Sequence, residues 1–123
     1  MLRCFALVMV LVCGLSLRAQ IDPSWTAPQK PFRIAGNLYY VGSRDLGAYL
    51  VTSSAGNILI NANLESSPSQ LRASVEKLGF RWADTRILLN SQAHFDHAAG
   101  SAEVLMMTPE IVAAKNQTRF MIA

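Results

Sequence analysis

Gln92-Ala93-His94-Phe95-Asp96-His97-Ala98-Ala99-Gly100 is the stretch on which the reading turns. The chain has two histidines, His94 and His97, and both fall in this one window beside Asp96. Ile87-Leu88-Leu89 just before it is an apolar run that reads as a buried strand. The small residues Ala98, Ala99 and Gly100 just after it read as the opening of a helix. A strand that ends by delivering imidazoles and a carboxylate builds a site at its carboxyl end, as open α/β sheets generally do. Neutral imidazole nitrogen and carboxylate oxygen are what a zinc ion takes. Alternation sets Gln92 and His94 on one side, while the adjacent Asp96 and His97 turn elsewhere. Four donors so near in sequence suit two metal ions better than one closed tetrahedron. The plainer alternative is a local Asp–His hydrogen bond with no metal, which gathering every histidine into one window argues against.

Upstream of this window the pattern is strands, one helix, then the strand. Residues 32–34 and 38–41 flank Gly36-Asn37, a two-residue turn signal. Residues 46–52 and 57–60 flank Ser53-Ser54-Ala55-Gly56, so the four runs read as an antiparallel meander. Ile58-Leu59-Ile60, like Ile87-Leu88-Leu89, lacks alternation and is expected to be buried on both faces. A helix is expected from Ser67 as N-cap, with Pro68 at its first position and Gln70 completing a capping box. Leu71, Val75 and Leu78 give it one apolar stripe, and Gly79 ends it as a left-handed cap.

The amino-terminal segment is of another kind. Residues 5–17 are apolar except for Gly14 and Ser16, Arg3 precedes them and Ala19 closes them. This reads as a secretory signal peptide of residues 1–19, too short for the roughly 20 apolar residues of a membrane span. The expected location is therefore exported, periplasmic or secreted, with no membrane attachment after cleavage. Cleavage removes Cys4 and Cys13, the chain's 2 cysteines, leaving neither a disulfide nor a thiolate ligand. It also removes Arg3 and Arg18 from a net charge of +3, so no basic cluster is left to suggest nucleic acid. Residues 20–31 are a polar lead with Pro23, Pro28 and Pro31. Trp25 within it reads either as a cover folded onto the domain or as a flap over a substrate pocket.

The QAHFDHAAG run resembles the HxHxDH signature of the metallo-β-lactamase superfamily. The resemblance extends from about Trp25 to Val104 and is to the amino-terminal half of class B β-lactamases of the third subclass. It implies an α/β fold, one half of a four-layer αββα sandwich with up to two zinc ions between two sheets. It also implies hydrolysis of a β-lactam, a small-molecule substrate, by a metal-bound hydroxide, and so antibiotic resistance. By the resemblance, Gln92 and His94 stand where the first zinc takes two ligands, and Asp96 and His97 where the second takes two. Asp96 would also orient the hydroxide, making it the catalytic residue. Small Ala98, Ala99 and Gly100 would let the following helix approach the metal loop.

Three departures shape the expectation. Gln92 replaces the usual histidine; amide oxygen is a weaker zinc ligand than imidazole, although some members of the subclass carry glutamine there. Asn61 stands where many members have aspartate, either hydrogen-bonding the metal loop from outside or serving only as a turn residue. No histidine follows His97, whereas catalytic zinc usually takes three protein ligands and a water. Residues 105–123 diverge, with Thr108-Pro109-Glu110 reading as a new helix start. The organisation expected is thus residues 1–19 signal, 20–31 lead, 32–104 partial domain and 105–123 divergent tail. The chain reads as a truncated or frame-shifted fragment with little or no activity, or as a short diverged protein. Another hydrolase of the same fold, for thioester, lactone or phosphodiester, remains an alternative, as does a non-catalytic metal-binding or complementing fragment. An uncovered sheet face would make the chain aggregation-prone.

Overall fold

The computed structural model describes residues 21–108 and 111–113. The expected signal peptide and most of the divergent tail lie outside them. Strands β1 (Phe32–Ala35), β2 (Leu38–Tyr40), β3 (Tyr49–Val51) and β4 (Asn57–Ile60) form the expected antiparallel meander. Helix α1 (Pro68–Lys77) then crosses to β5 (Thr85–Leu89), which pairs parallel with β4. The short helices α2 (Phe95–Ala98) and α3 (Ser101–Met107) lead to β6 (Val112–Ala113), parallel to β5. The strand order is β1-β2-β3-β4-β5-β6 in one mixed sheet.

The hydrophobic stripe of α1 packs onto one face of this sheet. Leu71 and Val75 join Leu50, Leu59 and Leu88 in a core that Trp82, Val104 and Ile111 complete. Gly79, at φ +89°, closes α1 as the sequence suggests. Gly79 N–H donates to Glu76 O at 2.9 Å and Phe80 N–H to Val75 O at 3.3 Å, the paired bonds of a Schellman cap. The amino end of α1 differs from expectation. Pro68 does hold the first position, but Ser67 makes no side-chain cap. Its hydroxyl instead accepts from Leu64 N–H at 3.2 Å, closing the loop before the helix.

Three further readings change. β3 begins at Tyr49, not Leu46, because the carbonyls of the preceding residues are already taken. Leu46 O accepts from Ser43 N–H at 3.1 Å and from the Asn63 side chain at 3.3 Å, and Gly47 O from the Asn61 side chain at 3.1 Å. The central strands are also not buried on both faces. Leu59 and Leu88 are buried, whereas Ile58 and Ile60 are half-buried and Ile87 is 37% exposed, because the core described lies on one face. The other face carries Phe32, Tyr40 and Tyr49 in a ladder of ring contacts at 5.3 and 5.6 Å. After α3, the expected helix start at Thr108-Pro109-Glu110 lies partly outside the described residues, and β6 occupies Val112–Ala113 where a helix from Thr108 would have run.

Candidate metal centre

The parallel pairing of β4 and β5 brings their carboxyl ends side by side, with Ile60 opposite Leu89. Asn61 and Asn63 follow β4 with φ of 68° and 55°, the left-handed region that asparagine tolerates better than other non-glycine residues. This kinked loop clasps the segment after β5. Ala62 N–H and Asn63 N–H both donate to His97 O at 3.0 Å, and Gly100 N–H donates to Asn63 O at 2.9 Å. A Cβ on Gly100 would lie 2.4 Å from Ala62 O and 2.6 Å from Leu64 O, so glycine is what permits the approach. The approach that this small residue permits is to the Asn61–Leu64 loop.

α2 sets the angular placement of the side chains. His94 is extended and its carbonyl accepts from His97 N–H and Ala98 N–H, so Asp96 and His97 fall on the single turn that follows. The four expected donors are together. His94 Nδ1 lies 2.7 Å from Gln92 Oε1, Gln92 Nε2 lies 2.7 Å from His97 Nε2, and Asp96 Oδ2 lies 3.4 Å from His97 Nε2. Among the described residues, His, Cys, Asp and Glu alone make no three-donor metal group, and it is the Gln92 amide that links His94 to the Asp96–His97 pair. In kind, imidazole nitrogen, carboxylate oxygen and amide oxygen fit zinc, with the amide the weakest of them. His94 and Gln92 are exposed, while Asp96 and His97 are half-buried.

Asn61 is only 3% exposed and joins the same network from beneath. Its Oδ1 accepts from Ser91 N–H at 2.8 Å and from Ser91 Oγ–H at 2.9 Å. Ser91 Oγ lies 3.3 Å from His97 Nδ1. Ser91 is the residue that the motif-based reading passes over. Its signal was its place, a hydroxyl one residue past Asn90 at the end of a strand. Trp25 rests against the site loop, its ring 6.1 Å from that of Phe95, which is 56% exposed. The short 3-10 turn that carries Trp25 is capped by Asp22, which accepts from Ser24 N–H and Oγ–H at 2.9 and 2.7 Å. Those two bonds hold the Asp22 carboxyl below its ordinary pKa. An open cleft of about 690 Å³ among Gly56, Phe80, Arg81 and Arg86 lies at the other end of the sheet and takes no residue of the site loop.

No family model matches the sequence. Solved structures do. The class B3 di-zinc metallo-β-lactamase LRA-12 from an Alaskan soil metagenome is 46% identical over 73% of this chain, with a TM-score of 0.71. The metallo-β-lactamase FEZ-1 from Legionella gormanii is 57% identical over 68% of the chain, with a TM-score of 0.67. GOB-18 from Elizabethkingia meningoseptica is 43% identical over 73%, with a TM-score of 0.71. The chain has the metallo-β-lactamase fold of the class B3 enzymes. It spans about a third of their length, covering 34% of LRA-12, 32% of FEZ-1 and 33% of GOB-18.

Proposed function

We propose that this chain carries the zinc-binding loop of a hydrolase that opens β-lactam rings. The observation that supports it is the run of contacts at the strand ends that links His94 to Gln92 at 2.7 Å, Gln92 to His97 at 2.7 Å and His97 to Asp96 at 3.4 Å. Gln92 and His94 would hold one zinc, and Asp96 and His97 the other. When bound, zinc supplies the Lewis acidity that makes water a nucleophile at neutral pH. The Asp96 carboxylate would accept a hydrogen bond from the attacking water and so aim its lone pair. Trp25 and Phe95 offer an apolar wall beside the loop for the body of the substrate. Residues 1–19 act as the export signal, placing the protein in the periplasm, where cell-wall antibiotics act.

The supply of ligands limits the rate. Within the QAHFDH loop four donors would serve two metals. Catalytic zinc usually takes three protein ligands and one water. Weak zinc binding and little or no turnover are therefore the activity we assign to this chain itself. Zinc competition with a chromophoric chelator tests the site: His97→Ala and Gln92→Ala should each lower affinity. Unchanged affinity in both would remove the loop as the metal site. Brisk zinc-dependent turnover of a penicillin or carbapenem would refute the low activity, and turnover of a thioester or lactone alone would redirect the substrate class. The exposed sheet face, with Phe32 at 48% and Ile34 at 45%, favours one further reading, pairing with a second copy. Size-exclusion chromatography separates it from a monomer.

A further inference from the structure

We propose that Ser91 is a positioning residue that keeps the proton of neutral His97 on Nδ1, so that Nε2 faces the site as a lone pair. The consequence for metal rests on the zinc reading above; the proton placement does not.

Two backbone groups near Asn61 have a polarity that is beyond choice. Gly47 C=O can only accept, so the Asn61 atom 3.1 Å from it is the amide nitrogen. The other end of the side chain is then Oδ1, consistent with Ser91 N–H, which can only donate, at 2.8 Å. Oδ1 has no proton, so at 2.9 Å from it the Ser91 hydroxyl must donate. That uses the only proton on Ser91 Oγ. What Oγ offers to His97 Nδ1 at 3.3 Å is therefore a lone pair, which Nδ1 meets by carrying the hydrogen. At the opposite ring atom Gln92 Nε2 can donate to His97 Nε2 across 2.7 Å while Gln92 Oε1 accepts from His94 Nδ1–H; the Asp96 carboxylate, 3.4 Å from the same Nε2, is the acceptor that competes for the proton. Two backbone groups in separate parts of the chain thus dictate the tautomer of one imidazole through Asn61 and Ser91. A hydrogen bond at one ring nitrogen is the general means of choosing which nitrogen ligates a metal.

The test uses the full chain with nitrogen-15 in its 2 histidines, free of metal, at a pH where imidazole is neutral. Long-range proton–nitrogen correlation should show Nδ1 of His97 protonated and Nε2 bare in the wild type. Ser91→Ala should release it toward the other tautomer, and Ser91→Thr should restore it. A wild-type His97 protonated on Nε2, or a Ser91→Ala spectrum unchanged at His97, overturns the proposal. Zinc competition on the same samples should show Ser91→Ala weaker by about 10- to 100-fold, the usual effect of removing such a partner. A shifted tautomer with unchanged zinc affinity would strike down His97 as a ligand while upholding the role of Ser91.

Discussion

Replacing Gly100 by alanine puts the contact between the Asn61–Leu64 loop and the metal-site segment to a test whose sign is in question. The backbone of Gly100 has φ −74°, comfortable for alanine. From the chain entropy alone, Gly→Ala at such a position stabilises by about 0.4–1 kcal/mol. Against this stands the added methyl, 2.4 Å from Ala62 O, 2.6 Å from Leu64 O and 3.1 Å from Pro68 Cγ. Ordinary carbon–oxygen contacts begin near 3.3 Å, so a backbone carbonyl must retreat by about 1 Å. It has little freedom to do so, because Ala62 N–H and Asn63 N–H are held on His97 O and Asn63 O holds Gly100 N–H. Overpacking of this kind costs about 1–3 kcal/mol. The steric term wins, and a net loss of about 1–2 kcal/mol is expected, or roughly 4–8 °C in Tm for each kcal/mol. Urea and thermal melts followed by circular dichroism measure it. The histidine signals should shift as well, since His97 O is part of the same clasp. A Gly100→Ala chain melting at or above the wild type would refute the account.

Gln92→His should tighten zinc by about tenfold or more, or ~1.4 kcal/mol, since imidazole replaces an amide oxygen; competition with a chelator reads it. Leu59→Ala, at a fully buried position in the middle of the sheet, should cost about 2–5 kcal/mol in urea unfolding, whereas the same change at Met106, 69% exposed, should cost little. Phe95→Ala should red-shift the emission of Trp25 while leaving the melt almost unmoved. The same shift is expected when acid removes the Asp22 cap. The folded carboxyl is depressed, so the cap's contribution is present above the unfolded value and disappears as pH falls through the lowered folded one. An emission that holds steady well below that range would count against the cap. Ile34→Thr and Ile87→Thr together should reduce light scattering at high concentration without lowering Tm, because both side chains sit on the exposed sheet face.

Much of the fold is written in short-range pattern. The spacing of Leu71, Val75 and Leu78 gives α1 and its buried stripe, and Gly79 stops it through a left-handed backbone that other residues adopt with strain. Alternating apolar runs and the Gly36 turn give the meander, and the crowding of both histidines beside Asp96 gives the candidate ligands before any strand is paired. Such signals are legible because they join residues a few positions apart, where spacing alone decides which side chains share a face. They misled where distant partners competed. Ser67 was free to cap α1 until Leu64 N–H took its hydroxyl, and Leu46 looked like a strand residue until Ser43 and Asn63 claimed its carbonyl.

The sequence by itself determined the candidate donors: Gln92, His94, Asp96 and His97, with the small residues that follow them. Tertiary structure decided how those donors are aimed. Asn61 and Ser91 stand 30 residues apart and meet because β4 and β5 pair in parallel with Ile60 opposite Leu89. A slip in that register would part them with no change in any local signal. The direction of their hydrogen bonds, and with it the free nitrogen of His97, follows from backbone groups that only the folded sheet brings within reach.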